Sequence, residues 1–350
     1  MSGKKTLPVI TRDNLIPPYP EYNFFASDDA GTRVRVDDPR HGFDHASKGF
    51  RIVNAWWLCD ASTLVYDEPA RVTSEFLAAG FTRVELRGSA DGNLLGRNDT
   101  QCFVASNPDL VVVAFRGTET GMRAPQDRNP EERKRPPDFT HVFNDIATDL
   151  DFKLVRFDEA DRGKGRVHSG FKRAVDDVWE ALRSHLMELK DGRRTFWFTG
   201  HSLGAALAVM AAAKAASLPD FKIHGLYTYG NPLTGDRDFV KFLDGALSRR
   251  GAGYFRFVNN RDLVTTIPPD GFGYRHTGTL KLINERGEIG GGVGFFKSIE
   301  NFGRGVFRRA TDIFGTVNSP VLKLIPAQLR DHVPTLYATH IWNAHVGRKG

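Results

Sequence analysis

Cysteine is nearly absent: the 350 residues contain two, Cys59 and Cys102, too few for a disulfide framework or a metal cluster. Nowhere does the chain approach the roughly 18 uninterrupted apolar residues that a membrane-spanning helix needs. Residues 1–8 carry two lysines with no apolar stretch behind them. No Sec signal peptide is read there, and the expectation is a cytoplasmic protein or one exported by another route. Neither sign of charge dominates, since 48 Lys and Arg against 42 Asp and Glu leave +6. No basic patch is interleaved with aromatic residues, which argues against a nucleic-acid partner. The metal-binding pattern H-E-x-x-H is missing, and Asp145, Asp149 and Asp151 have no His or Cys at ligand spacing. No metal is therefore expected. What remains is 40% hydrophobic and 26% charged, the composition of a folded chain with one sizeable core.

Residues 1–49 are rich in Asp, Arg, Pro and Gly and show little periodicity. They read as an extended arm lying on a single domain formed by residues 50–350. Phe50, Val53, Trp57, Ala61, Leu64 and Val65 fall three or four apart, which predicts an amphipathic helix over 50–66. Short strand-like runs at 81–87 and 101–105 flank a turn-rich stretch. The unbroken β-branched and apolar run at 110–115 is the pattern of a strand buried on both faces of a parallel sheet. Phe171, Val175, Val178, Leu182, Leu186 and Leu189 trace one helical stripe that runs out before Gly192. Strand-like segments at 195–199, 223–229 and 254–259 then alternate with helical ones at 203–216 and 237–247. Such alternation predicts an α/β fold with a mostly parallel central sheet and helices on both faces.

Two stretches interrupt that rhythm: 119–140, which is very polar, and 287–330, which is rich in Gly and Phe. Loops this long are uncommon in compact domains unless they have a function, so both are read as insertions able to cover a site. Within the second, Phe295, Ile299, Phe302, Val306 and Phe307 share one helical face, and Arg304, Arg308 and Arg309 lie around the other. A helix over 294–314 would either touch a lipid–water interface or pack on the core.

The chemistry-bearing motif is Gly200-His201-Ser202-Leu203-Gly204. Alone, G-x-S-x-G is a weak signal. Here it lies between a strand and a buried helix, the setting in which a sharp turn exposes the serine oxygen above the sheet and needs small residues on either side. The backbone N–H of Leu203 would then face a developing oxyanion. A second donor should follow an earlier strand, and Phe115-Arg116-Gly117-Thr118 fits, with Thr118 offering both N–H and hydroxyl. A nucleophilic serine also needs a base and a group that orients the base. Asp262 directly follows the strand at 254–259, at the end where ligands bind in open α/β sheets; its bland reading is a helix N-cap. In the chain order Ser, acid, His, four histidines remain for the base: His276, His332, His340 and His345. His332, on a loop before a terminal helix, is favoured over His276, which leads into a strand and is expected to be hydrogen-bonded against the sheet.

Further pieces extend the pattern in order: Thr148-Asp149-Leu150, Val167-His168-Ser169-Gly170-Phe171, Thr228-Tyr229-Gly230-Asn231-Pro232, Asn260-Arg261-Asp262-Leu263-Val264, Tyr274-Arg275-His276 and Asp331-His332. Together with the two motifs above, these make residues 50–340 resemble the class 3 lipases, the fungal-type triacylglycerol lipases and their bacterial and plant relatives. The elbow continues Gly-Ala-Ala where that family more often has Gly-Gly-Ala. The resemblance implies the α/β-hydrolase fold and a serine carboxylic-ester hydrolase acting on acylglycerols without a cofactor. Ser202, Asp262 and His332 would be its triad, with Thr118 and Leu203 its oxyanion donors. A phospholipase A1 or a short-chain or feruloyl-type esterase would use the same triad, whereas a silent lipid-binding protein would lack a member of it. The implied partner is a lipid or small ester; the oligomeric state is not readable. The family's lid follows its Arg-Gly-Thr motif, yet the Phe-rich stretch at 294–314 suits contact with lipid better than the charged one after Thr118.

Overall fold

In the computed structural model, residues 22–27, 32–87, 102–117, 152–158, 160–268, 271–290 and 331–347 are described. The chain opens its regular structure with helices α1 (Ile52–Leu64) and α2 (Pro69–Ala78), followed by strands β1 (Arg83–Arg87), β2 (Cys102–Ser106) and β3 (Leu110–Phe115). Two short strands, β4 (Leu154–Arg156) and β5 (Arg166–His168), lead into helix α3 (Ser169–Leu189). Then come β6 (Thr195–His201), helix α4 (Leu203–Ala216), β7 (Gly225–Tyr229), β8 (Gly235–Asp236) and helix α5 (Arg237–Arg249). Strands β9 (Gly253–Asn259), β10 (Tyr274–Arg275), β11 (Thr279–Ile283) and β12 (Ile289–Gly290) precede the last described helix, α6 (Pro334–His345).

The main sheet has the order β1-β2-β3-β6-β7-β9-β11-β12. Its five inner strands from β3 to β11 run parallel, and antiparallel strands close both edges. Period-2 alternation explains why the run 110–115 is apolar throughout. Leu110, Val112 and Ala114 join one core, and Val111, Val113 and Phe115 join the other. The same alternation sends Trp197 and Tyr227 to the first face and Phe196, Phe198 and Leu226 to the second. Helices α3, α4 and α5 cover the second face, while α1, α6 and residues of the N-terminal stretch cover the first. Ala-rich α4 is buried almost all round, since alanine favours helix and its small side chain lets the backbone lie close to the sheet.

One sequence expectation needs correction, and two elements were not expected. Helix α1 is not amphipathic: every residue from Val53 to Leu64 is buried, including Asn54, Asp60, Ser62 and Thr63. It is sandwiched between the sheet and α6, against which Trp56 packs its ring 4.4 Å from that of Trp342. Helix α2 escaped the periodicity argument because it buries only Val72 and Phe76. A second sheet, β10-β8-β5-β4, is built of strands two or three residues long, too short to show any period. From the N-terminal stretch, Phe24, Phe25, Val34, Val36 and Phe43 are buried in the first core. Among the described residues, no helix is long and apolar enough to cross a membrane. The stretches 119–140 and 294–314, and Asp145, Asp149 and Asp151, lie outside the described residues.

Candidate active site

Three neighbouring parallel strands end at one edge of the sheet, and each delivers part of the site there. From β6 the chain turns sharply into α4 at Ser202, whose backbone has φ 58° and ψ −130°. That positive φ is costly for a residue with a Cβ. The turn closes only because its flanking glycines permit it. A Cβ on Gly200 would collide with the backbone of Gly204, and a Cβ on Gly204 would collide with the backbone of Phe115 to Gly117. The Ser202 N–H donates to the carbonyl of Tyr229 at 3.0 Å, tying the turn to the end of β7. Leu203 begins α4, so its N–H has no acceptor within the helix and lies at the positive end of the helix dipole. Ser202 Oγ is buried and makes no hydrogen bond among the described residues.

From β9 comes Asp262, which is fully buried. Its Oδ1 accepts from the Val264 N–H at 3.0 Å, capping the short 3-10 turn Leu263–Thr266. Its Oδ2 lies 2.8 Å from His332 Nδ1. One carboxylate therefore serves both as the cap and as the partner of a histidine. Oδ2 also accepts from the Tyr337 hydroxyl at 2.6 Å, and that hydroxyl accepts from the Asn259 N–H at 2.9 Å. Burial, and the carboxylate beside it, push the Tyr337 hydroxyl well above its ordinary pKa, so it remains a donor.

His332 comes from the loop before α6, 70 residues beyond Asp262. Asp331 pins that loop: its Oδ2 accepts from Asn260 Nδ2 at 3.0 Å and from the Arg261 N–H at 3.2 Å. Its backbone carbonyl accepts from Asn259 Nδ2 at 2.9 Å. The Asn-Asn-Arg-Asp and Asp-His segments are thus two sides of one joint. Gly230, at the end of β7, has φ 60°, and a Cβ there would stand 2.8 Å from His332 Nδ1 and 2.9 Å from Asp262 Oδ2. Only glycine leaves that space to the pair.

The structure thus joins Asp262 to His332 directly and sets Ser202 at the same edge. Thr118 lies outside the described residues; Gly117 before it is described. His276 is half-buried elsewhere and hydrogen-bonded to the Thr265 backbone, with burial and the Arg256 guanidinium pushing its pKa well down. His340 and His345 lie on α6, beyond the loop that carries His332. Sequence reasoning gave no role to Tyr337, Asp331 or Gly230. No local signal marks Tyr337, which meets Asp262 across 75 residues of chain. Among the described residues, no group of three or more His, Cys, Asp or Glu is placed to hold a metal ion.

The model of the family "Lipase (class 3)" matches residues 139–272. A secreted mono- and diacylglycerol lipase of Fusarium solani is 40% identical over 113 residues, 32% of this chain and 32% of the relative. The chain thus spans about a third of the length of this curated relative. Among solved structures, the triacylglyceride lipase of Rhizomucor miehei matches with TM-score 0.51 and 24% identity over 66% of this chain and 80% of that one. The mono- and diacylglycerol lipase of Aspergillus oryzae matches with TM-score 0.50 and 23% identity over 67% and 81%. These two likenesses concern the fold. With the parallel sheet, the strained serine turn and the acid–histidine pair at one strand edge, the fold is that of an α/β-hydrolase, and residues 139–272 match the model of the class 3 lipase family.

Proposed function

We propose that this protein is a serine carboxylic-ester hydrolase acting on acylglycerols. The observation that carries the reading is that Ser202, in its positive-φ turn, is hydrogen-bonded to the end of β7, where Gly230 borders the buried Asp262–His332 pair. Ser202 Oγ attacks the ester carbonyl carbon while His332 Nε2 takes its proton. Asp262, on the other ring nitrogen, fixes the tautomer that leaves Nε2 free of hydrogen and stabilises the imidazolium. The Leu203 N–H, joined in the family pattern by Thr118, faces the oxyanion. His332 then gives the proton to the leaving alcohol, and water repeats the sequence on the acyl-enzyme. The short contact between Oγ and Nε2 forms as substrate enters, since such bonds are often loose before binding.

Acylglycerols are favoured because the Fusarium solani relative is named a mono- and diacylglycerol lipase. Contact with the lipid–water interface through 294–314 belongs to the same proposal. The test is hydrolysis of a soluble p-nitrophenyl ester and of an emulsified diacylglycerol. Ser202→Ala should lower kcat by about four orders of magnitude or more on both, with the thermal midpoint unchanged. His332→Ala should behave alike, and His276→Ala should keep turnover. Near-normal hydrolysis by folded Ser202→Ala would refute the mechanism.

A further inference from the structure

His201, the second residue of the serine motif, is buried and makes a contact the mechanism above does not use. Its Nε2 lies 2.7 Å from the backbone carbonyl oxygen of His332. A carbonyl only accepts, so Nε2 carries the hydrogen. Burial and the neighbouring His332 ring, 4.5 Å away between centroids, push the His201 pKa well down and keep its ring neutral. Nδ1 is then an acceptor, and the Tyr66 hydroxyl stands 3.3 Å from it and 3.2 Å from the backbone oxygen of His201. The same hydroxyl faces the Gly117 backbone, whose N–H favours its ionised form. It sits so tightly that a Cβ on Gly117 would collide with it. A close contact at the end of β3 thus leads into hydrogen bonds that run from Tyr66, beyond α1, through the ring beside Ser202 to the backbone of His332.

We propose that Tyr66 and His201 are positioning residues that hold the backbone of His332 in register with Ser202 and tie that register to the end of β3. The proposal rests on the hydrolase reading. Neither side chain contacts Asp262 or the His332 ring nitrogens by hydrogen bond; they act on the base through its main chain. A neutral ring with a fixed tautomer suits this place, because a cation there would oppose the imidazolium that forms on His332.

Three variants separate the parts. His201→Leu keeps the volume and removes the donor, His201→Gln restores an N–H at matching reach, and Tyr66→Phe removes only the hydroxyl. For each, kcat and KM on a soluble p-nitrophenyl ester are measured beside the thermal midpoint. His201→Leu and Tyr66→Phe should lower kcat about 10- to 100-fold, the scale of a small misplacement of catalytic groups, and leave KM within about twofold. His201→Gln should recover most of that loss. If Gln and Leu behave alike, if kcat holds in all three, or if activity merely follows the folded fraction, the proposal is overturned. Should His201→Leu not fold, Tyr66→Phe decides in its place. Labelling with a fluorophosphonate keeps the two readings apart. Wild-type protein labelled at Ser202 and hydrolysing the ester, beside indifferent variants, sinks the positioning role alone. Unlabelled protein, or hydrolysis that survives Ser202→Ala, sinks the hydrolase reading itself.

Discussion

The two faces of the central sheet are built from different materials. Behind the sheet, α3, α4 and α5 bury mostly purely hydrocarbon side chains, aliphatic and aromatic alike, among them Val175, Leu182, Leu186, Phe171, Phe239 and a run of alanines. In front, α1 and α6 bury aromatic rings interleaved with polar groups, among them Asp60, Tyr66, Tyr227, Tyr229 and Tyr337. Buried polar groups are costly unless each finds a partner, and here the partners span the chain. Tyr22 Oη and the Phe25 N–H donate to Asp60, and Tyr229 Oη to the Ala55 carbonyl. The back face holds the sheet together through packing, whereas the front face locates particular atoms, including those of Asp262 and His332.

The sharpest way to break this comparison is a cavity on the back face. Leu182, fully buried on α3, is expected to cost about 2–5 kcal/mol when changed to Ala. In urea unfolding the free energy extrapolated to water should fall by that amount, while kcat of the folded protein below the transition stays within about twofold. A comparable fall in kcat would mean that the back face also positions the site.

Tyr337→Phe probes the front face. The lost hydroxyl bridges the Asn259 N–H and the Asp262 carboxylate, and such bonds to a charged group are worth about 1.5–3 kcal/mol. Unlike Leu182→Ala, this change should lower both stability and kcat. Unchanged kcat would show that two hydrogen bonds to Asp262 suffice.

A smaller effect concerns pH. Asp60 is fully buried, and burial raises its pKa to about 7 in spite of the bonds from Tyr22 and Phe25. The folded state therefore holds a proton that the unfolded chain releases near its ordinary value of 3.8. This group's contribution is fully present below that value and is lost as pH rises through about 7. His224 and His340, each lowered to about 4 by burial, act in the opposite sense, since their contribution is lost as pH falls. The informative quantity is thus the difference between Asp60→Asn and the original chain across that range. Stability of the original chain relative to Asp60→Asn should decline as pH rises, and a flat difference would remove Asp60 from the account. The smallest effect is expected at Lys241, an exposed residue 3.7 Å from Asp238. Lys241→Ala should move stability by less than about 0.5 kcal/mol, separating what the buried faces do from mere surface charge.

The sequence by itself determined the parts whose cause is local. Residues 110–115 had to be a strand buried on both faces because nothing polar interrupts them, and β3 has those bounds. Gly200 and Gly204 announced a tight turn; the collision at Gly200 is with the turn's own backbone and is written within five residues, whereas that at Gly204 is with the distant end of β3. Asp262 was legible as the residue emerging from a strand, although order along the chain could not say whether it capped a turn or met a histidine. Only the tertiary structure decided that it does both. It also decided which histidine meets the acid, because His332 reaches Asp262 through the docking of α6 on α1 and the pinning of Asp331 to Asn259, Asn260 and Arg261. Such contacts join residues about 70 apart, where no periodicity links them. The polar residues of α1 misled for the same reason. Asp60 looks solvent-facing until a segment far from it in the chain, carrying Tyr22 and Phe25, folds over it.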